Sequence, residues 1–173
     1  MDTQSTNFSK DKIENRIVLI TGANKGIGFE TAKQLVKKGL FVYLGCRDIE
    51  RGKAAEKLLN ENGYQNVKAI ELDVTKADTI TASKNTVSQE HGKLDILINN
   101  AGISGIVPQK ALETNISNYQ EVYEVNLHGV IRTTQTFIDL LQKSSEPRIV
   151  NVSTSLASLT LQSNPKWPAY DYG

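Results

Sequence analysis

Thr21-Gly22-Ala23-Asn24-Lys25-Gly26-Ile27-Gly28, directly after the apolar run Ile17-Val18-Leu19-Ile20, joins a strand, a glycine-rich turn and the start of a helix. Such a junction suits a phosphate. Glycines let the backbone turn sharply and approach a pyrophosphate without a Cβ in the way, and the N–H groups and positive dipole end of the following helix attract its charge. By itself the Gly-x-x-x-Gly-x-Gly spacing also fits an ordinary tight strand-to-helix connection, so the rest of the chain has to decide.

Outward from this junction, strands and helices alternate. Ile17 to Ile20 is the short continuous apolar run of a parallel strand covered on both faces. Ile27, Thr31, Leu35 and Val36 share a helical face, Lys37 and Lys38 suit that helix's C-terminus, and Gly39 stops it. Leu40 to Leu44 reads as the second strand; Asp48 can cap a helix carrying Ala54, Ala55, Leu58 and Leu59, ended by Asn62-Gly63. Val67 to Leu72 reads as the third strand. Thr75-x-x-Asp78 resembles a capping box for a helix running to about His91-Gly92, with Ile80 and Val87 on it. Leu94 to Ile98 and Arg148 to Val152 read as the fourth and fifth strands. Between them Ser117-x-x-Gln120 offers a capping box to one long helix, on which Val122, Val125, Val130, Ile131, Phe137, Ile138 and Leu141 return toward a buried side. Strands separated by helices imply right-handed crossovers, so the expected fold is α/β, a Rossmann-like doubly wound parallel sheet with strand order 3-2-1-4-5.

Composition narrows the class. With 173 residues and 39% hydrophobic content the sequence suits one domain with a real core, residues 16–173, preceded by a polar segment, residues 1–15, read as a mobile tail. A formal net charge of +1 gives no global electrostatic argument for nucleic acid or an anionic membrane as partner. Cys46 is the only cysteine, and with just His91 and His128 beside it there is no metal-ligand spacing and no internal disulfide, so a reduced cytoplasmic setting is expected. No apolar run approaches the ~18 residues of a membrane span.

Four stations stand in order: Thr21-Gly22-x-x-x-Gly26-x-Gly28, Asn99-Asn100-Ala101-Gly102, Val125-Asn126-Leu127-x-Gly129 and Arg148-Ile149-Val150-Asn151-Val152-Ser153. Together they resemble the short-chain dehydrogenase/reductase family from about Arg16 to at least Leu161, and among its members the carbonyl-reductase-like ones that use NADPH. The resemblance implies oxidation or reduction at an alcohol or carbonyl carbon, with a small aldehyde or ketone as substrate. It assigns Gly22, Asn24, Lys25, Gly26, Ile27 and Gly28 to the cofactor phosphates, Asp73 and Val74 to the adenine, and Asn99, Ala101 and Gly102 to the cofactor's border. Asn126 matches the asparagine that holds a helix kink and a water of the proton relay, whereas His128 reads as a surface or packed residue.

Arg47 follows the second strand, where a Rossmann domain meets the adenosine ribose. An acid at the strand end would bind the ribose 2′-OH; an arginine pairs instead with a 2′-phosphate. Cys46 stands where many NAD-using relatives carry the acid, and Lys25 adds a second cation, so NADP(H) is favoured; Asp48 could still reach the ribose, which keeps NAD(H) open. The family's catalytic serine aligns with Thr154, with Ser153 or Ser155 as alternatives if the loop shifts by one residue. The family's Tyr-x-x-x-Lys pair, which should come next, is not found after the fifth strand: Lys166 precedes Tyr170 and Tyr172. The sequence therefore reads as the N-terminal part of a reductase, catalytically incomplete by itself, or alternatively as a non-catalytic NADP(H)-binding or interaction module. An incomplete sheet also leads us to expect a homo-oligomer or pairing through the edge of the fifth strand.

Overall fold

The computed structural model describes residues 15–105, 114–154, 160 and 163. The expected tail falls outside these residues except for Asn15, as do Ser155, Leu161, Lys166, Tyr170 and Tyr172. Five strands, β1 (Ile17–Thr21), β2 (Phe41–Cys46), β3 (Val67–Glu71), β4 (Ile96–Asn99) and β5 (Arg148–Asn151), form one sheet in the order β3-β2-β1-β4-β5, every pair parallel. The expected topology is the observed one, and strand ends lie within two residues of those read from the sequence.

Strands β1 to β4 are covered on both faces, and successive residues along them point to opposite sides. Val18 and Ile20 face one cluster with Val42, Leu44, Ala32, Val36, Ala55 and Leu59, supplied by α1 (Gly26–Lys37) and α2 (Ile49–Glu61). Leu19 and Leu97 face the other, with Tyr43, Ile80, Val87, Phe137 and Leu140, supplied by α3 (Ala77–His91) and α5 (Gly129–Leu141). Burying such a side chain contributes roughly 1.5–3 kcal/mol, so the two clusters carry the fold.

Helix ends follow the sequence in part. Asp48 caps α2, accepting hydrogen bonds from the Glu50 and Arg51 N–H groups. The capping box expected at Thr75 does not form: its N–H and hydroxyl both donate to the Asp73 carboxylate, and α3 begins after Lys76 with no side-chain cap. A carboxylate at the strand end competes locally for the hydroxyl. The cap expected at Ser117 is likewise replaced by Asn115, whose side chain accepts the Ser117 N–H at 3.0 Å and opens α4 (Ile116–Tyr123).

The long helix read from the sequence is interrupted by a π-helical turn, Glu124–His128, between α4 and α5. Ile131 and Ile138, expected inside, are 46% and 42% exposed. The buried face of α5 is made by Gly129, Thr133, Phe137, Leu140 and Leu141, and the row of Ile131 and Ile138 lies off it. β5 is the outer strand among the described residues, and all four of its residues are exposed.

At the opposite end of the sheet from the glycine-rich turn, the buried Asp95 carboxylate accepts the Ile17 N–H at 2.8 Å, the Ser144 hydroxyl at 2.5 Å and the Lys93 ammonium at 3.0 Å. Burial works to raise its pKa, but the hydrogen bonds from Ser144, the Ile17 N–H and Lys93 prevail and hold it below the usual carboxylate range. A folded-state value below the unfolded value of about 3.9 means that this stabilisation is present above about pH 4 and is lost as pH falls through the folded value. Asp95→Asn is expected to cost on the order of 2 kcal/mol at about neutral pH in urea unfolding and to flatten the acid limb of stability. Unchanged stability and an unchanged acid limb would contradict this.

Candidate functional site

The C-terminal ends of β1 and β4 are stitched together. The Thr21 hydroxyl accepts the Asn100 and Ala101 N–H groups, each at 3.0 Å, and the Asn100 amide donates to the Thr21 and Gly22 carbonyls at 2.9 and 3.2 Å. The three glycines of the turn then divide their tasks. Gly22 has φ +66° and lies so close to Ala101 that a Cβ would stand 2.9 Å from its Cα. A Cβ on Gly28 would stand 2.5 Å from the Asn100 amide nitrogen and 2.7 Å from the Gly22 carbonyl oxygen. Gly26, at φ +58°, has open space where its Cβ would be. Two glycines thus allow close internal packing, and the third leaves the turn open.

Beside that opening α1 begins after Lys25 with no side-chain cap and no acidic residue in its first turn. Its first N–H groups and dipole are left to an anion. A cleft of about 840 Å³ lies here, bordered by Gly22, Asn24, Lys25, Gly26, Ile27, Arg47, Asp73, Val74, Ala101 and Gly102. It also takes in Leu72, Thr75, Asn100, Ile103, Glu121, Glu124 and Val125, none of which was singled out for binding from the sequence.

Of the residues expected to contact the cofactor, Gly28 and Asn99 do not border the cleft, and neither do the expected catalytic residues Asn126 and Thr154. Gly28 is buried beneath the turn, and Asn99 is engaged between elements, donating to the Thr134 hydroxyl at 3.2 Å and to the Asn151 side-chain oxygen at 2.8 Å. Asn100, the other half of that dipeptide, borders the cleft in its place; a period of two along a strand could have separated them.

At the end of β2, Cys46 is buried, its thiol donates to the Leu44 carbonyl, and burial pushes its pKa up to about 11. It does not border the cleft, so it discriminates nothing there by contact. Arg47 is exposed at the mouth, and neither it nor Lys25 forms an ion pair among the described residues. The Asp48 carboxylate is engaged by the α2 N–H groups and by Arg51 at 3.2 Å. Asp73 is bonded to Thr75, with Lys76 at 3.9 Å, which shapes the loop beneath Val74.

Asn126 sits in the π-helical turn and exchanges two hydrogen bonds with the backbone of Ile103, accepting its N–H at 2.9 Å and donating to its carbonyl at 2.8 Å. An asparagine that poorly suits a helix interior here fastens the widened turn to the loop after β4. His128 is 54% exposed and pairs with Glu124 at 2.9 Å. Ser153 and Thr154 are exposed just beyond β5, at the same sheet edge as the cleft. One Tyr-x-x-x-Lys spacing does occur, Tyr64 and Lys68, but it spans the turn from α2 into the start of β3, and Lys68 pairs with Glu90. Among the described residues no cluster of histidine, cysteine and carboxylate side chains could hold a metal, and no helix is long and apolar enough to cross a membrane.

This geometry matches a family over nearly the whole chain: the profile of the short chain dehydrogenases covers residues 16–171. The chain belongs to the short-chain dehydrogenase/reductase family. Salutaridine reductase of Papaver bracteatum is 40% identical over a match that covers 86% of this chain and 57% of that protein. The solved structure of salutaridine reductase from Papaver somniferum superposes with a TM-score of 0.79 at 35% identity, covering 85% of this chain and 60% of that one. The structure of 3-ketoacyl-(acyl-carrier-protein) reductase from Brucella melitensis complexed with NADH gives 0.74 at 30% identity, covering 82% of this chain and 58% of that one. This short-chain dehydrogenase/reductase chain thus spans less than two thirds of the length of these relatives.

Proposed function

We propose that the cleft binds NADP(H) and that the chain serves hydride transfer between that cofactor and a small alcohol, aldehyde or ketone. The observation that carries the cofactor choice is the state of three neighbouring side chains: Arg47 exposed at the mouth without an ion pair among the described residues, Asp48 bonded into the α2 cap, and Cys46 turned inward. A cation is left to meet a 2′-phosphate, and the acid that could accept a 2′-OH is already engaged. The open Gly26 and the uncapped start of α1 fit a pyrophosphate beside them, and Val74 with Asp73 and Thr75 forms a wall on which an adenine can lie.

Bound nicotinamide would supply or accept the hydride. The chain's own residues would do the rest: Asn126 holds the backbone of Ile103, which borders the cleft, and the hydroxyl of Thr154, or that of Ser153 or Ser155, would donate to the substrate oxygen. The family's tyrosine and lysine have no counterpart after β5 in these 173 residues, so proton transfer is incomplete in this chain by itself. Arg47→Ala is expected to weaken NADPH on the order of tenfold or more while leaving NADH nearly unchanged, as loss of a charge-assisted bond predicts. Calorimetric titration reads it, and an intact NADPH preference in the variant would overturn the assignment.

The exposed β5, with Ile149 and Val150 over two fifths exposed, also supports self-association of this chain by edge pairing. Light scattering is expected to show dimers or larger species. A stable monomer with cooperative unfolding would contradict it.

A further inference from the structure

We infer that Arg132 is a positioning residue for adenine binding: its guanidinium clamps the Val74 wall of the cleft to the π-helical turn. The inference rests on the nucleotide reading above. One nitrogen donates to the Val74 carbonyl at 2.5 Å, and another donates to the Glu124 carboxylate at 2.6 Å. Val74 and Glu124 both border the cleft, while Arg132 does not. The guanidinium therefore acts from behind, joining the loop after β3 to the turn between α4 and α5.

The surroundings make this clamp specific. Val74 is already held closely from the same side, because a Cβ on Gly129 would stand 2.7 Å from its Cγ2. Gly129 brings α5 against the Val74 side chain, and Arg132, one helical turn on, takes the carbonyl of the same residue. Glu124 is in turn fixed by His128 through its second oxygen at 2.9 Å. Because the π turn also carries Asn126, and Asn126 holds both backbone groups of Ile103, the cleft walls at Val74 and Ile103 are tied to one rigid turn. A planar fork with donors in two directions can join a carbonyl to a carboxylate in this way; an ammonium on a flexible stem cannot hold both with the same geometry. Arg132 also places a full positive charge beside a carboxylate that borders the cleft.

Arg132→Met keeps the stem and removes both donors. Calorimetry with ADP-ribose, which carries adenine and diphosphate but no 2′-phosphate, is expected to show binding weakened on the order of tenfold. Amide hydrogen exchange without nucleotide is expected to speed up about tenfold at Asp73 and Thr75, whose N–H groups bond to Thr79 and Asp73, and to stay unchanged at Val18 to Ile20. A purely structural role would raise exchange throughout the sheet and would overturn the proposal, as would unchanged exchange or unchanged ADP-ribose affinity in the folded variant. Should Arg132→Met fail to fold, Glu124→Gln, which loosens the anchor but also removes a negative charge from the cleft, is read by exchange alone and is expected to speed it at Asp73 and Thr75 by a smaller factor; no movement overturns the clamp. Failure of the unsubstituted chain to bind ADP-ribose would overturn the nucleotide reading itself, and Arg132's part in adenine binding with it.

Discussion

Offered NADPH and a broad panel of aldehydes and ketones, the 173-residue chain is expected to show turnover at background. A positioned general acid commonly contributes about 10²–10⁴-fold, and orientation of the reacting groups adds more. After β5 no tyrosine is followed four residues later by a lysine, and the pair that has this spacing, Tyr64 and Lys68, belongs to the far end of the sheet. The Thr154 hydroxyl, proposed above to donate to the substrate oxygen, is an aliphatic alcohol and does not replace that acid. NADPH absorbance followed over time measures this directly. Robust turnover that is abolished by Tyr170→Phe or Tyr172→Phe would show that one of these tyrosines donates the proton without the lysine.

Gly28→Val is expected to cost several kcal/mol of stability and to lower nucleotide affinity by about a hundredfold or more. Its Cβ would meet the Asn100 amide at 2.5 Å and the Gly22 carbonyl oxygen at 2.7 Å, both within the stitch that joins β1 to β4, so neither can yield cheaply. Overpacking typically costs about 1–3 kcal/mol, and here it also breaks hydrogen bonds. Gly26→Val gives a different profile: the site is open, so the stability loss is that of a side chain at φ +58°, while affinity for NADPH and NADH is expected to fall because the branches would intrude where the proposed site holds the phosphates. Urea unfolding combined with nucleotide titration separates the two variants. A Gly28→Val protein of parental stability and affinity would contradict the packing account.

The architecture was legible because it depends on patterns that survive without knowledge of contacts. Apolar runs such as Ile17 to Ile20 and glycines such as Gly39 and Gly92, both at positive φ, mark strands and stops through local chemistry alone. Most cleft residues were legible for the same reason, since they sit at strand ends in order. What the sequence hid were choices between neighbours. Asn99 and Asn100 have the same chemistry, and only the pleat decides that the first holds Thr134 and Asn151 while the second holds the turn. Thr75 and Ser117 each carry a fair capping pattern, but Thr75 gives its N–H and hydroxyl to Asp73, and Asn115 accepts the Ser117 N–H and starts the helix two residues earlier. The π-helical turn lies beyond any 3.6-residue period, so one apparent long helix became two with a shifted face, and Ile131 and Ile138 went to the exposed side. Arg132 gave no signal at all, because its role depends on a carbonyl that lies 58 residues away in the chain.

The central claim, that a phosphorylated dinucleotide occupies the cleft between the start of α1, Arg47 and Val74, is tested most directly by following backbone amide resonances while NADPH and NADH are titrated. Saturable shifts are expected at Gly22 to Ile27, Arg47, Asp73 to Thr75, Ala101 and Gly102, with NADPH saturating at lower concentration and Arg47 responding more strongly to it. Shifts confined to the exposed groove of Ile116, Tyr119 and Tyr123, or equal saturation by the two nucleotides with no response at Arg47, would contradict it.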